Sequence, residues 1–314
     1  MEKTNGRIRI GILGLGGTGG FFGGKLAKHY YENEKVDVIF IARNETKEKI
    51  QETGLMVESV DGNFNTKPFL VSEDSVEIGD LDILLVCVKS YSMAQAVGSY
   101  GQNVKKGGAV ITIQNILDQA ERIKGLLPKN TVHLQGCAYI ISNIAAPGHI
   151  KHKGGPATLF FGDNSNISRY GWILDLFIDA GIKATLSNSI SEVIWKKFLF
   201  ISPLAVATSY FSCDIGTLRT DESKLSFLRG LMNELLALAR IKNINLVHKD
   251  MAEHLMILER FPPEGKTSTQ LDIESKRKSE LDALLGHVLA ESKRNNLESP
   301  HYQRAYEKLI SSNN

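Results

Sequence analysis

The chain has little of what marks a stapled, metal-built or membrane-embedded protein. Its 314 residues hold only three cysteines, Cys87, Cys137 and Cys213. They are odd in number and far apart, with no C-x-x-C pair and no neighbouring histidine cluster, which argues against a disulfide framework or a zinc site and leaves three buried thiols and no metal as the expectation. No sign of charge dominates: 37 Lys and Arg against 35 Asp and Glu give a net +2, with acids and bases interspersed, so neither nucleic acid nor an anionic membrane surface is expected as the main partner. No apolar run approaches the roughly 18 residues of a membrane span, and the opening MEKTNGRIRI lacks an apolar signal region. The expectation is a soluble cytoplasmic chain. Internal repeats and low-complexity stretches are also missing, which excludes solenoid architectures.

What is present begins at Arg9-Ile10-Gly11-Ile12-Leu13-Gly14-Leu15-Gly16-Gly17-Thr18-Gly19-Gly20, an apolar run that breaks into closely spaced glycines. Arg7 to Leu13 reads as a buried strand and Phe21 to Tyr31 as the following helix, so Gly14, Gly16 and Gly19 fit G-x-G-x-x-G in the strand-to-helix context that gives the pattern meaning. Gly14 allows the tight turn, Gly16 lets a pyrophosphate approach the backbone, and Gly19 permits close packing of helix on strand. Gly17 and Thr18 complete the candidate phosphate-binding set, because the N–H groups of a helix N-terminus face anions. A second apolar strand, Lys35 to Ile41, follows at βαβ spacing. It ends in Ala42-Arg43-Asn44, where an NAD site would usually carry a carboxylate for the ribose hydroxyls. A guanidinium can pair with a 2′-phosphate instead, so Arg43 points to NADP(H).

The remaining signals divide the chain into unlike halves. Leu81 to Val88, Ala109 to Ile113 and Thr131 to Leu134 are continuous apolar runs alternating with helical segments, which implies a parallel sheet covered on both faces. His149 to His152 and Thr158 to Gly162 read as an antiparallel pair around Gly154-Gly155. After Ser189 the pattern becomes helical. Leu228, Leu231, Leu235 and Leu238 recur at spacings of three and four and mark a buried helical face. Pro262-Pro263-Glu264-Gly265 breaks the chain before a helical segment from Gln270 to Ser292, and Ser299-Pro300 starts a last one. The expected architecture is α/β: a Rossmann-type dinucleotide-binding domain over 1–187 followed by an all-helical domain over 188–314, with a ligand crevice where they meet. The long apolar helices of the second half would bury one another or a second subunit, which leaves a homodimer as an expected assembly.

In order and spacing, the glycine turn, Val88-Lys89-Ser90, Gln114-Asn115, Trp195-Lys196-Lys197, Ser268 with Asp272, and Glu280 resemble the ketopantoate reductase (2-dehydropantoate 2-reductase) family over nearly the whole chain. The resemblance implies reduction of a small 2-keto acid by NADPH, 2-dehydropantoate to pantoate in pantothenate and coenzyme A biosynthesis. It makes Lys197 the general acid. That position is chemically reasonable, because Val193, Ile194, Trp195, Phe198, Leu199 and Phe200 surround it and a desolvated ammonium gives up its proton more easily. Lys196 is the fallback, about 100° around the helix. The resemblance also implies that Glu280, in the helical run from Lys278 to Asp282, holds the lysine and lies close to cofactor and substrate. Ser268 would bind the keto acid's carboxylate, Asn115 would position substrate and nicotinamide, and Lys89 would reach toward the cofactor phosphates or ribose.

Two departures bear on substrate. Four and eight residues beyond the lysine the family carries asparagines for the substrate's hydroxyl end, and here those positions are Ile201 and Ala205, which cannot hydrogen-bond through their side chains. The family's Asn-Gly is here Asn115-Ile116. A reductase of a more apolar 2-keto acid, or an NADP(H)-binding sensor without turnover, are therefore the alternatives.

Overall fold

The computed structural model describes residues 6–165 and 167–310. They form two compact units, one running to Gln114 and resuming over Asp118–Ile190, the other made of Asn115–Leu117 and the chain from Ser191 onward.

The first unit is an α/β layer built on β1 (Ile8–Leu13), α1 (Gly17–His29), β2 (Val36–Ile41), α2 (Asn44–Thr53), β3 (Leu55–Ser59), β4 (Phe64–Thr66), β5 (Leu70–Ser72), α3 (Ser75–Ile78), β6 (Leu81–Val86), α4 (Met93–Tyr100), β7 (Val104–Thr112), α5 (Gln119–Ile123), β8 (Val132–Ala146), β9 (His149–Gly162), α6 (Gly171–Asp179) and β10 (Lys183–Ser187). The sheet runs in the order β4-β3-β9-β8-β7-β6-β1-β2-β5, with β10 alongside β9. From β5 to β8 every pairing is parallel. The whole of β2, Val-Asp-Val-Ile-Phe-Ile, is buried, as expected for a strand covered on both faces. Its one charge, Asp37, lies 2.6 Å from the Arg7 guanidinium, which offsets the cost of burying a carboxylate. Phe21, Phe22 and Leu26 of α1 fill the core with Ile10, Ile12 and Phe40.

Three sequence-based expectations change here. The sheet is mixed, because β9 runs antiparallel to β8 and β4 antiparallel to β3. His149 to Gly162 is one strand rather than a pair, and its antiparallel partner is β8, which the sequence showed only as Thr131 to Leu134. The reversal lies at Pro147-Gly148, while Gly154 and Gly155, at φ +130° and +83°, sit where the β8–β9 register shifts between Tyr139 and Ile141. Glycines in a strand mark a bulge as readily as a turn. Helix α1 also starts at Gly17 rather than Phe21, so the glycine pattern supplies the helix's first turn.

The second unit is helical: α7 (Ile190–Phe211), α8 (Ile215–Thr220), α9 (Glu222–Ile241), α10 (His248–Leu258), α11 (Ser268–Glu274), α12 (His287–Arg294) and α13 (Pro300–Leu309). Leu228, Leu231, Leu235 and Leu238 of α9 are buried as the periodicity requires, and they pack with Phe198, Leu204, Leu285 and Tyr302. The segment from Gln270 to Ser292 is not one helix. Helix α11 ends at Glu274, Lys276 takes φ +54°, and a π-helical turn over Asp282–Gly286 leads into α12. Ser275-Lys276-Arg277-Lys278 offers nothing apolar to bury, and Arg277 turns back to donate to Asp272 at 3.0 Å. Among the described residues no helix is long and apolar enough to cross a membrane, and no cluster of His, Cys, Asp or Glu could hold a metal ion.

Candidate active site

The glycine turn is packed so closely against its neighbours that side chains would not fit at Gly14, Gly17 and Gly19. Gly14 has φ +99°, and a β-carbon there would lie 2.8 Å from Val88. One on Gly19 would lie 2.1 Å from the Gly14 carbonyl oxygen and 2.7 Å from Cβ of Cys87, and one on Gly17 would lie 2.4 Å from the Ser142 carbonyl oxygen. Gly16 is the exception, since a β-carbon there would meet nothing within 4 Å. The turn is thus packed from below and open at Gly16. Gly16 caps α1 without any side-chain hydrogen bond, and the helix's first turn holds no acidic residue. Its first N–H groups and the positive end of its dipole are left for an anion. Thr18 is half-buried in that turn. Burial pushes the Cys87 thiol up, so it stays neutral beneath the turn and serves as packing.

The two adjacent lysines of α7 have different surroundings. Lys196 lies 2.7 Å from Asp250 and 2.9 Å from Glu253 of α10, and its hydrogen bonds to those carboxylates raise its pKa. His254, also on α10, meets the Lys196 carbonyl oxygen at 2.8 Å through Nε2. A carbonyl only accepts, so Nε2 carries the proton. Burial, then the Lys196 ammonium, lowers His254 to about 4, and its neutral ring stacks on Phe200 at 5.3 Å. Helix α10 therefore holds the Lys196 side of α7. Lys197, about 100° around the helix, is only 7% exposed and donates to Asn115 Oδ1 at 2.5 Å.

Asn115 follows a buried polar network on the first unit that sequence reasoning did not single out. The Gln114 side chain donates to the carbonyls of Val86 and Val88 at 2.9 and 3.0 Å, gripping the C-terminal end of β6. Gln119 donates to the Gln114 and Gly136 carbonyls at 2.8 and 2.9 Å. Thr112 gives its hydroxyl proton to Gln119 Oε1 at 2.7 Å. His133 Nε2, 2.7 Å from the same hydroxyl, must then be the donor to it, and burial lowers its pKa to about 4. Gln114, just past β7, is thereby held at the strand C-terminal edge where parallel sheets bind ligands. Nothing local in one sequence reveals the network, since its partners come from strands up to 28 residues apart.

The other candidates occupy distinct positions. Glu280 is half-buried in a bend just ahead of the π-helical turn, not inside a helical run. Ser268 is exposed as the first residue of α11, whose N-cap is Thr267, accepting from the Gln270 N–H. Lys89 is half-buried ahead of a short 3-10 turn at Ser90–Ser92 that follows β6. Arg43 is exposed at the N-cap of α2. Ile201 is half-buried and Ala205 is 3% exposed, both packed in the helical unit's apolar core.

A dinucleotide-type turn on a mixed sheet, joined to a helical unit in which a buried lysine meets an asparagine, defines the class of two-domain nicotinamide-dependent oxidoreductases. The family model for ketopantoate reductase PanE/ApbA matches residues 10–166, and the model for the C-terminal part of the same family matches 189–311. The chain belongs to the ketopantoate reductase family. It is 26% identical over 300 residues to the uncharacterized oxidoreductase YkpB of Bacillus subtilis, covering 95% of this chain and 96% of that one. It is 27% identical over 308 residues to a 2-dehydropantoate 2-reductase of Nostoc, covering 96% and 94%. The crystal structure of 2-dehydropantoate 2-reductase from Porphyromonas gingivalis superposes with a TM-score of 0.83 at 28% identity, covering 97% of this chain and 99% of that one. The protein is an oxidoreductase of this family, and its cofactor is NADP(H). The open space over Gly16, the uncapped N-terminus of α1 and the exposed guanidinium of Arg43 after β2 fit a pyrophosphate and a 2′-phosphate.

Proposed function

We propose that this protein reduces a 2-keto acid to the 2-hydroxy acid, with 2-dehydropantoate to pantoate as the first substrate pair to test. The observation that carries the reading is the hydrogen bond that the buried Lys197 ammonium donates to Asn115. An ammonium held there can donate to a ketone oxygen and then deliver a proton as the oxygen becomes an alkoxide. Bound NADPH supplies the hydride for the ketone carbon. Asn115 keeps one lysine proton engaged through its oxygen and leaves its amide N–H groups for substrate or cofactor. In this reading Glu280 fixes the charge and orientation of Lys197 and lies near the cofactor, and Ser268 receives the substrate carboxylate. Gly14, Gly16, Gly17, Thr18 and Gly19 hold the pyrophosphate, Arg43 the 2′-phosphate, and Lys89 the adjoining phosphate or ribose.

A second reading, a more apolar 2-keto acid, is favoured by Ile201 and Ala205, which offer a substrate hydroxyl no side-chain partner. NADPH oxidation measured with a panel of 2-keto acids, hydroxylated and not, tests both readings. Turnover of at least one member is expected, and the preferred member decides between the two. Tight NADPH binding with no turnover of any member would overturn the reductase reading in favour of a cofactor sensor.

A further inference from the structure

Helix α7 carries Lys197 and then meets Pro203 in its interior, where the missing N–H frees the Leu199 carbonyl and weakens the helix's own hold on its direction. The segment after Glu280 is also irregular, because the π-helical turn Asp282–Gly286 opens the α-helical register, a feature frequent at functional sites. Neither element defines its course by regular helical bonding alone. One chain of hydrogen bonds, wholly inside the helical unit, joins them.

Ser202, five residues after Lys197 on α7, donates to the Leu284 carbonyl oxygen at 2.8 Å. Its only proton is then committed, so the Tyr302 hydroxyl, 2.7 Å away, is the donor to Ser202. Burial pushes the Tyr302 phenol up, which keeps that proton in place. Leu284 in turn donates its N–H to the Glu280 carbonyl at 3.1 Å. Tyr302 is itself seated by Glu234 of α9, a carboxylate 8% exposed that accepts from the N–H groups of His301 and Tyr302 at 2.8 and 3.1 Å and from His301 Nδ1 at 2.6 Å. A carboxylate facing the first turn of α13 is favourable for that helix. Gly230, one turn before Glu234, makes room for His301, whose imidazole lies 2.3 Å from where a β-carbon would sit.

Ser202 and Tyr302 are both 0% exposed. An apolar pair would fill the same space without the cost of satisfying buried hydroxyls, so general stability does not account for them. We infer that the Tyr302–Ser202–Leu284 chain, seated by Glu234, sets the register between the helix bearing Lys197 and the segment bearing Glu280. Ser202 and Tyr302 are then positioning residues for the reduction and touch neither substrate nor cofactor. This rests on the reductase reading for what is being positioned.

The test is the double variant Ser202→Ala/Tyr302→Phe, which removes both hydroxyls together and leaves no side-chain donor stranded in the core. Amide exchange over 280–288 is expected to quicken while α9 keeps its protection. With the preferred 2-keto acid, kcat is expected to fall about tenfold or more, since a misplacement of about 1 Å can cost up to a hundredfold, and the Kd for NADPH is expected to stay within about twofold. In a Glu280→Ala background the same pair should cost little further kcat, because the alignment it serves is already lost. A purely structural role predicts equal kcat losses in the two backgrounds, in step with the fall in melting temperature, and that result would overturn the inference. So would unchanged kcat in the folded double variant. If the unaltered protein reduces no 2-keto acid, the reductase reading fails, and the exchange over 280–288 still decides whether the chain holds this segment; unchanged protection there overturns the inference as well.

Discussion

Lys196 and Lys197 are adjacent and identical in type, and their surroundings separate them. Lys196 is tied to Asp250 and Glu253, whereas Lys197 is buried against Asn115. Lys197→Ala is expected to lower turnover at least about a hundredfold, the usual scale for a positioned acid, with the NADPH Kd nearly unchanged by fluorescence titration. Lys196→Ala should change turnover little; equal small effects of the two would show that the acid lies elsewhere. At the other end of the reaction, Arg43 is exposed and its side chain forms no hydrogen bond or ion pair among the described residues, so removing it disturbs nothing in the fold. A charge-assisted contact to a 2′-phosphate is worth about 1.5–3 kcal/mol, or roughly ten- to hundredfold in affinity. Arg43→Ala should therefore weaken NADPH by that factor and spare NADH, and equal binding of both cofactors by the unaltered protein would remove the basis for this role.

The elements that could be read from sequence are those whose signal is local. The glycine turn was legible because its signal, three glycines at fixed spacing between an apolar strand and a helix, is local in sequence, although the contacts that exclude side chains there reach Val88 and Cys87 beyond β6. Helix α9 was legible because its four leucines share a face. What was not legible depends on distant partners. Strand β8 extends past Leu134 because β9 pairs with it, and nothing between Gln135 and Ala146 announces that. The break after Glu274 hid inside a plausible helical pattern, and Glu280 moved with it into a bend. The docking of α10 on α7 was equally silent in sequence, yet it has a measurable pH signature. Burial pushes the Asp250 carboxyl up, but its hydrogen bonds with Lys196 and the Val247 N–H outweigh this and leave it below the usual carboxylate range, while Lys196 is raised. A depressed acid stabilises the fold above its unfolded pKa of about 3.9 and loses that contribution as pH falls through its folded value. A raised lysine stabilises below about 10.4 and loses the contribution as pH rises through its folded value. The pair therefore works between those limits. Lys196 is 42% exposed, so the ion pair contributes at most about 1 kcal/mol. Asp250→Asn should lower the melting temperature at pH 7 by the few degrees this implies, with the gap to the unaltered protein closing as pH falls below about 3.9; a gap constant with pH would mean the carboxylate's charge plays no part.

Across the whole molecule, family membership and substrate choice rest on different numbers of residues. The matches to the two family models run over 10–166 and 189–311, so the reaction class is carried by nearly the full chain, whereas recognition of a hydroxyl at the far end of a keto acid comes down to a few side chains. Of the departures that the resemblance marks, Ile201 and Ala205 are not equivalent. Ala205 is 3% exposed among Phe198, Leu204 and Val206, and an asparagine there would bury an amide in apolar surroundings at a cost of about 1–3 kcal/mol unless it found partners. Ile201 is only half-buried and can be exchanged with less disturbance. Ile201→Asn is therefore the informative substitution. A neutral hydrogen bond to the substrate hydroxyl would contribute about 0.5–1.5 kcal/mol, which is roughly a two- to tenfold gain in kcat/KM for 2-dehydropantoate over the 2-keto acid of the same branching without the hydroxyl. The gain should fall mainly on KM, since the contact is far from the reacting carbonyl and serves ground and transition states alike. An unchanged selectivity ratio in a variant that melts like the unaltered protein would show that residue 201 does not face the substrate's hydroxyl end.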